Sequence, residues 1–273
     1  MDEFQQQVAD YFDRRNNYDA EGDFHPRLAH SLILHAGVAE KQKILDMATG
    51  TGLVAIEAAQ LVGPEGWVVG VDISPGMIEQ GNRKISAANL GNIQFQLADA
   101  ETVEFPENTF DTVLCCSALP YLKNIPAALR RWYRFIKPGG LMGVTGFSET
   151  SFIFGVVLRQ VAQRYGVELS IWNEDTGTPE KCYALLREVG CEDVEVKTEQ
   201  FGSYISLNEA VRIWESSLGN PLCLPLLQLS SEQLEQTKAE YVKELEALVT
   251  DKGIWNDITN FFVLGRKQAD FAR

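Results

Sequence analysis

Two glycines stand where a short apolar run gives way to a helical pattern. Residues 44–47 predict a buried strand, Gly50 and Gly52 turn the chain, and a helix is predicted at 53–61. Glycines at such a turn tolerate positive φ and let a ligand approach the backbone closely, while the helix that follows offers free N–H groups. The pattern predicts a ligand-binding loop, and a glycine turn that binds nothing stays open as an alternative.

Asp46 bears on which ligand the loop could take. The spacing Gly50-x-Gly52-x-x-Ala55 also fits the fingerprint of dinucleotide-binding loops. However, a carboxylate at Asp46 would repel a pyrophosphate, and it suits a ligand with an ammonium group, such as the methionine part of S-adenosylmethionine. An aspartate that only caps the turn is the alternative interpretation.

Acidic residues also end the next two predicted strands. Asp72 lies 20 positions after Gly52, the separation expected of an acid that accepts hydrogen bonds from ribose hydroxyls. Asp99 follows the next strand and could accept a hydrogen bond from an adenine amino group. A buried acid costs desolvation free energy unless it is paired, so acids at three successive strand ends indicate a binding site.

Alternating strands and helices position these residues, which favours an α/β fold with βαβ units around a parallel sheet. Two helices are predicted before the first strand, at 2–15 and 26–37. The strands are predicted at 44–47, 67–72, 93–97, 110–116 and 141–147, and the helices between them at 53–61, 75–88 and 125–136.

The last third of the chain has a different pattern. Helices are predicted at 151–165 and 179–189, and strands at 194–201 and 258–266. A capping box from Ser206 to Glu209 opens a helix, an apolar loop covers 220–227, and a further helix begins near Ser231. We interpret this insertion as a cap over one end of the sheet, with structural filler as the alternative. The predicted division is a lid at 1–37, a cofactor domain at 38–205 and 254–273, and a cap at 206–253.

Five segments in order resemble the UbiE/COQ5-like class I methyltransferases, the methyltransferase type 11 group. The similarity covers about residues 40–147, and five motifs in register are far more specific than any one of them. The segments are LDMATGTG from Leu45, GVDIS from Gly70, ADAE from Ala98, FPENTFD from Phe105 and RFIKPGG from Arg134.

The resemblance implies a Rossmann-like sheet of seven strands with the last antiparallel, and S-adenosyl-L-methionine as the cofactor. It implies Asp46 at the methionine amino group, Asp72 at the ribose and Met77 near the adenine. Its remaining implied cofactor contacts are Gly50 and Gly52 in the turn, Asp99 and Ala100 at the adenine edge, and Ser117 beside the methionine end. We add Tyr18, Ala48, Thr49 and Ile73 to the predicted cofactor-binding residues.

The chain also departs from that family. Residues 17–25 only partly match the N-terminal signature of the quinone-methylating members, so quinone biosynthesis is not supported. Pro120 and Tyr121 stand where many relatives carry a histidine pair after the fourth strand. A general-base histidine therefore cannot be carried over to that position.

Candidate catalytic groups are few. His25, in a possible lid loop, is the best base candidate if the acceptor must lose a proton. Tyr121 could orient an acceptor or only pack. His35 shares a helix face with apolar residues and is predicted in a core or interface, whereas His30 is predicted to be solvated.

Composition limits the partners. The 273 residues carry a formal net charge of −14, so nucleic acid and anionic membranes are poor partners. The five cysteines show no metal-ligand spacing, and Cys115 and Cys116 are predicted to be buried small apolar residues. No secretory signal and no apolar run of membrane-spanning length is recognised, so a cytoplasmic setting with a small-molecule partner is expected, as a monomer or homodimer.

The sequence thus predicts methyl transfer to an oxygen or nitrogen atom of a small, partly apolar metabolite, by in-line displacement that depends mainly on positioning. One rival is an NAD-dependent oxidoreductase, which the glycine spacing alone would allow. The other is a cofactor-binding protein without catalysis, since no base is certain. The acceptor itself is not predicted.

Overall fold

A computed structural model describes residues 1–170 and 173–269, with nine strands and nine α-helices in the described part. The strands are β1 Lys43–Met47, β2 Trp67–Asp72, β3 Ile93–Leu97, β4 Phe110–Cys115, β5 Ile136–Phe147, β6 Glu192–Gln200, β7 Ser203–Ile205, β8 Ile254–Asn256 and β9 Thr259–Arg266. The helices are α1 Glu3–Asp13, α2 Phe24–Ala36, α3 Leu53–Val62, α4 Pro75–Ala87, α5 Ile125–Phe135, α6 Ile153–Arg164, α7 Pro179–Val189, α8 Leu207–Ser217 and α9 Ser231–Glu246.

Seven strands form the main sheet in the order β3-β2-β1-β4-β5-β9-β6. The first five strands of the chain pair in parallel. The helices α3, α4 and α5 supply the crossover connections that parallel neighbours need. In the register of the centre, Asp46 of β1 lies beside Gly70 of β2 and Leu114 of β4. The carboxyl ends of these strands therefore meet at one edge of the sheet.

The strand β9 runs against its neighbour β5. The Gly139 N–H donates to the Lys267 carbonyl at 2.9 Å, and the Lys267 N–H donates to the Gly140 carbonyl at 2.9 Å. At the other end, the Ser148 N–H donates to the Thr259 carbonyl at 2.9 Å. This confirms the predicted Rossmann-like sheet of seven strands with an antiparallel last strand in the chain.

The structure corrects several predicted boundaries. Strand β5 begins at Ile136, five residues before the predicted start. Pro138 and Gly139 predicted a turn, but they lie within the strand, where the pairing with β4 shifts register after Phe110. The apolar stretch predicted as a loop at 220–227 forms a 3₁₀ run, Pro221–Gln228. A two-stranded antiparallel pair of β7 and β8 was not predicted, because three-residue strands carry too little pattern.

Contacts between Cα atoms divide the chain into two compact units. The first comprises Met1–Gly146, Pro179–Lys197 and the segment from Phe261 onward; the second comprises Phe147–Thr178 and Thr198–Asn260. Each has an apolar core of its own, around Trp132 in the first unit and around Trp214 and Tyr241 in the second. The predicted boundaries of lid, cofactor domain and cap stay a prediction.

A basic stretch from Arg130 to Lys137 lies on the solvated side of α5 and its end. Its four cations pair with carboxylates: Arg130 with Glu188, Arg131 with Glu104, Arg134 with Glu107 and Lys137 with Asp111. Within residues 1–170 and 173–269, no helix is both long and apolar enough to cross a bilayer.

Candidate functional site

The glycine loop after β1 has the backbone conformation that the sequence predicted. Gly50 has φ 56° and Gly52 has φ 84°, both in the left-handed region. A Cβ at Gly50 would meet no atom within 4 Å, whereas one at Gly52 would lie 2.4 Å from the Phe95 ring. Gly50 therefore lines a cavity, and Gly52, outside the lining, lets the loop pack against β3.

Two residues other than glycine also adopt the left-handed conformation at this edge. Ala48, after β1, has φ 55°, and Ser117, after β4, has φ 59°. The Ser117 N–H donates to Thr145 Oγ1 at 2.8 Å, and Ser117 Oγ is buried without a hydrogen-bond partner among the described residues. Such conformations cost on the order of 1–3 kcal/mol each and are concentrated at functional sites.

Asp46 is the most deeply buried acid of the site, at 1% exposure. The Thr49 hydroxyl donates to its carboxylate at 2.5 Å. Burial, with a further contribution from the nearby charge of Asp72, raises the pKa of Asp46 to about 7. A positively charged group placed beside Asp46 would favour its ionised form.

Asp72 and Asp99 are held by donors of different kinds. Asp72 accepts hydrogen bonds from the backbone N–H groups of Gly50 and Ser74, at 2.7 and 2.9 Å. Burial nevertheless raises the pKa of Asp72 above its ordinary value. Asp99 accepts a hydrogen bond from Gln5 Nε2 at 2.8 Å, so α1 already contacts the carboxylate predicted at the adenine edge.

The predicted site residues at this edge, Gly52 excepted, line one cavity of about 990 Å³, a volume that includes its open mouth. Ile73, Met77 and Ala100 supply its apolar surface between the acids. The lining brings together the predicted residues Tyr18, His25, Asp46, Ala48, Thr49, Gly50, Asp72, Ile73, Met77, Asp99, Ala100, Ser117 and Tyr121.

Aromatic side chains from the N-terminal segment form another wall of the cavity. The ring centroids of Phe12 and Tyr121 lie 5.1 Å apart, edge to face, and those of Tyr18 and His25 lie 4.8 Å apart and stacked. The Arg15 guanidinium lies 4.4 Å from the centroid of Tyr18. Both candidate catalytic residues, His25 and Tyr121, therefore face the same cavity.

The protonation of His25 follows from its surroundings. Burial first, and the Arg15 charge second, lower the pKa of His25 to about 4. The imidazole is thus neutral near pH 7, which leaves a ring nitrogen able to accept a hydrogen bond, although it is a weaker base than a solvated histidine. His30 is exposed and lies 2.6 Å from Glu57, and His35 packs on Phe262, as the sequence indicated.

Polar contacts fix the N-terminal segment over this edge. Asp13 accepts hydrogen bonds from the Ser74 hydroxyl and, at 2.9 Å, from the Gly76 N–H at the beginning of α4. Asp19 accepts from Thr51 Oγ1 and pairs with Lys84 at 2.6 Å. These contacts anchor the predicted lid to the helices that follow β1 and β2.

Several lining residues escaped the sequence analysis. Gln5, Val8 and Phe12 lie at helical spacing on one face of α1, a signal that could have identified them. Cys116 corrects a prediction: it is half-buried and lines the cavity, while Cys115 is buried as expected. The strand ends at Cys115, so the next residue turns towards the cavity edge.

Fold and site together define the class of Rossmann-like class I methyltransferases that use S-adenosylmethionine. The donor set fits that cofactor, because a deeply buried carboxylate matches an ammonium group, a backbone-held carboxylate matches hydroxyls, and an apolar strip lies between them. Residues 44–140 match the family model of a methyltransferase domain.

Known proteins agree with this class. The chain is 29% identical over 213 residues to a demethylmenaquinone methyltransferase of Geobacillus kaustophilus, covering 72% of this chain and 90% of that protein. It is 38% identical over 118 residues to the ubiquinone/menaquinone biosynthesis C-methyltransferase UbiE of Cronobacter sakazakii, covering 43% of this chain and 47% of that relative. The chain thus spans about half the length of the UbiE relative.

Solved structures show the same fold. The YcgJ protein of Bacillus subtilis has a TM-score of 0.64 at 15% identity, covering 89% of this chain and 99% of that one. A phosphoethanolamine N-methyltransferase 2 of Haemonchus contortus, in complex with S-adenosyl-L-methionine, has a TM-score of 0.55 at 20% identity, covering 89% and 52%. The chain is an S-adenosylmethionine-dependent methyltransferase with the class I fold, and its sequence is similar to those of UbiE methyltransferases.

Proposed function

We propose that this chain transfers the methyl group to an oxygen or nitrogen atom of a small, partly apolar acceptor. The observation that carries the proposal is a single cavity lined by Asp46, Asp72 and Asp99, from three successive strand ends, and by aromatic rings of the N-terminal segment. The acids suit the cofactor, and the rings suit an acceptor with apolar surface.

In this proposal, Asp46 pairs with the ammonium group of the cofactor, and Asp72 accepts hydrogen bonds from the ribose hydroxyls. Asp99 would accept from the adenine amino group while keeping its bond from Gln5, since a carboxylate has several acceptor positions. The remaining proposed cofactor contacts are Tyr18, Ala48, Thr49, Gly50, Ile73, Met77, Ala100 and Ser117, while Gly52 would act by shaping the loop.

When bound, S-adenosylmethionine supplies an activated methyl group, whose bond to sulfur breaks as the acceptor lone pair forms the new bond. The chain itself has to bind, orient and exclude water, and orientation can contribute about 7–11 kcal/mol. His25 would accept a hydrogen bond from the acceptor, and Tyr121 would orient it. Because His25 is a weak base, the proposal favours phenolic hydroxyls and neutral amines, which need little help in losing a proton.

The first test is calorimetric titration of the protein with S-adenosylhomocysteine. We expect micromolar binding that Asp72→Ala abolishes, and no binding of NADH. Asp111→Ala is the matched control, because Asp111 also accepts a backbone N–H, at 2.7 Å from Lys43, but does not line the cavity. Binding of NADH would instead favour an oxidoreductase.

A second measurement concerns catalysis. With the cofactor bound, acceptors that offer a phenol, an amine or an activated carbon are screened for S-adenosylhomocysteine formation, and products are located by mass spectrometry. Methylation at carbon alone, the reaction for which the UbiE C-methyltransferase is named, would contradict the oxygen or nitrogen assignment. Cofactor binding without turnover across the panel would favour a non-catalytic cofactor-binding protein.

A further inference from the structure

Carboxylates outnumber cations on the lining of the proposed cofactor cavity. Asp46, Asp72, Asp99 and Glu101 line it, and no lysine or arginine occurs among the described lining residues. His25, the histidine of the lining, is neutral near pH 7, because burial lowers its pKa to about 4. The walls of the cavity therefore carry negative charge.

The basic residues beside the cavity do not offset this charge, because each is paired with an acid of its own. The pairs are Arg15 with Glu21, Lys84 with Asp19 and Lys123 with Asp2. A close ion pair is nearly neutral as a unit, so it adds little to the potential inside the cavity. S-adenosylmethionine carries one net positive charge, which offsets only one of the four lining carboxylates.

Glu101 is the lining carboxylate to which the proposed function assigns no cofactor group. It accepts hydrogen bonds from the backbone N–H groups of Lys123 and Asn124, at 3.2 and 2.9 Å. These two bonds fix the carboxylate at the cavity, and each of its oxygens keeps a further acceptor position. Glu101 can therefore attract a second positively charged group besides the cofactor.

Aromatic faces are an independent feature that suits a cation. Phe12 and Tyr121 both line the cavity, with ring centroids 5.1 Å apart and ring planes at 81°. The faces of aromatic rings carry partial negative charge and attract ammonium groups. Arg15 illustrates this at the same wall, since its guanidinium, outside the lining, lies 5.6 Å from the centroid of Phe12 and 4.4 Å from that of Tyr18.

The effect of this environment on a methyl acceptor depends on the reacting atom. An amine gains positive charge as its nitrogen lone pair bonds to the methyl carbon, while the carbon–sulfur bond breaks and its electron pair stays on sulfur. An amine that enters as ammonium first releases one proton to water at the open mouth of the cavity. A phenol has to lose its proton and react as an anion, which carboxylate walls disfavour.

We propose that the methyl acceptor is a small amine, which the negative lining and the ring faces of Phe12 and Tyr121 favour over oxygen acceptors. The proposal rests on the proposed function and narrows it, since it selects nitrogen as the methylated atom. Glu101 and the Phe12 ring act here by binding, and they have no part in bond making.

Two probes that differ in one atom test the preference for positive charge. On the full chain saturated with S-adenosylhomocysteine, 3-hydroxyphenyltrimethylammonium stands for a methylated amine, and 3-tert-butylphenol has carbon in place of the charged nitrogen. By ligand-observed NMR we expect the cation to bind with a millimolar Kd, as suits about eleven heavy atoms, and at least about tenfold more tightly than the phenol. This preference should shrink as the salt concentration rises.

Variants locate the preference on the proposed residues. Phe12→Leu keeps an apolar side chain but removes a ring face, so we expect cation binding to weaken about fivefold and binding of 3-tert-butylphenol to stay unchanged. Glu101→Gln should also weaken binding of the cation alone. Phe24→Leu is the matched control, because Phe24 lies 4.9 Å from the His25 ring but does not line the cavity. Equal weakening of both probes by Phe12→Leu would indicate packing only and would overturn the proposal.

A substrate that offers both atoms gives an internal comparison. Tyramine carries an amine and a phenol in one molecule, and mass spectrometry locates the added methyl group. We expect formation of S-adenosylhomocysteine with the methyl group on nitrogen. Methylation of tyramine on oxygen alone would contradict the proposal.

The outcomes are distinguishable from a failure of the proposed function. If S-adenosylhomocysteine binds and the cation binds no more tightly than 3-tert-butylphenol, or neither probe binds, the amine proposal alone is wrong. Should a variant fail to fold or tyramine not react, the ranking of the two probes on the unaltered chain still decides. Failure of S-adenosylhomocysteine itself to bind would count against the proposed function.

Discussion

At the scale of single residues, Asp46 shows how one carboxylate can cost stability and yet suit a ligand. Its carboxylate accepts a hydrogen bond from the Thr49 hydroxyl, and burial raises its pKa to about 7. In the free protein, ionising this group is unfavourable, and a bound ammonium group would reverse that preference. The charged form of His25 is disfavoured in the same way, since burial and Arg15 keep its imidazole neutral.

Asp46→Asn should change how stability depends on pH. The folded pKa of about 7 exceeds the unfolded value of ~3.9, so the folded protein binds more protons between these values. The contribution of Asp46 to the free energy of unfolding therefore falls as pH rises from about 4 to 7, by roughly 3–4 kcal/mol. Urea unfolding should show Asp46→Asn more stable than the unaltered chain at pH 8.5 but similar at pH 4. An equal pH dependence in both proteins would contradict this assignment.

The same group should make cofactor binding depend on pH. Below the Asp46 pKa of about 7, a proton must leave before the carboxylate can pair with an ammonium group. The Kd for S-adenosylhomocysteine should therefore rise about tenfold for each unit of pH below 7. Calorimetry at pH 6 and 8 measures this, and Asp46→Asn should bind weakly at both.

Variants of His25 separate a hydrogen-bonding role from a base. His25→Phe keeps a ring on Tyr18 but removes the ring nitrogens, so we expect kcat to fall about tenfold while cofactor binding is kept. His25→Gln, with a side-chain acceptor, should restore part of the rate. His30→Phe, on the exposed side of α2, is the control. The pH–rate profile of the unaltered chain should lack an inflection near pH 6.5. Such an inflection, together with loss of kcat in both His25 variants, would indicate that His25 is a general base.

At the scale of elements, helix α1 places one face on the cavity and is held in position at its end. Its start is fixed by a capping box between Asp2 and Gln5, and one face places Gln5, Val8 and Phe12 on the cavity. Its end is fixed by Asp13 at the N-terminus of α4, where free N–H groups and the helix dipole favour a carboxylate. The capping box thus fixes where α1 begins, and the Asp13 contacts hold its end against the start of α4.

Asp13→Ala should loosen this lid. Loss of the contacts to Ser74 and Gly76 costs about 1–2 kcal/mol, so amide hydrogen exchange in α1 should accelerate about 5–30-fold. The Kd for S-adenosylhomocysteine should also rise in Asp13→Ala. Asp10→Ala is the matched control, because Asp10 accepts its hydrogen bond from Gln6 of the same helix, α1. Equal exchange rates in the two variants would show that Asp13 does not hold the lid.

At the scale of the whole molecule, each compact unit carries its own buried tryptophan. Trp132 is fully buried in the first unit and donates to the Ala100 carbonyl at 2.8 Å. Trp214 is 2% exposed in the second unit, with its ring 5.5 Å from that of Tyr241. The apolar cores around the two tryptophans contain different residues. Mutation of either tryptophan can therefore test whether the two units lose stability separately.

Truncation of either tryptophan should act on its own unit. We expect Trp214→Ala to cost about 3–5 kcal/mol of local stability, seen as faster hydrogen exchange in α6, α8 and α9. Cofactor affinity should be retained in that variant. Trp132→Ala is the matched comparison and should raise exchange in the first unit and weaken cofactor binding. Uniform loss of protection in both variants would mean that the chain unfolds as one cooperative unit.

The sequence by itself determined the order of elements and the class of cofactor. Strand β1, which contains Asp46, and the glycine turn lie within the ten residues 43–52, so local pattern was enough to recognise them. Parallel strands bring their carboxyl ends to one edge, and this rule placed Asp72 and Asp99 beside Asp46 before any coordinates. The predicted cap helix after Ser206 was likewise a local signal, its capping box.

Only the tertiary structure decided which side chains outside these motifs share the cavity and how they are protonated. Phe12, Gln5 and Cys116 reach it because α1 and the end of β4 are docked there, and such contacts depend on residues far apart in the chain. The shifted pKa values of Asp46 and His25 arise from burial, which a linear pattern does not specify. Two of the ion pairs beside the cavity arise in the same way, since each joins residues far apart in the chain.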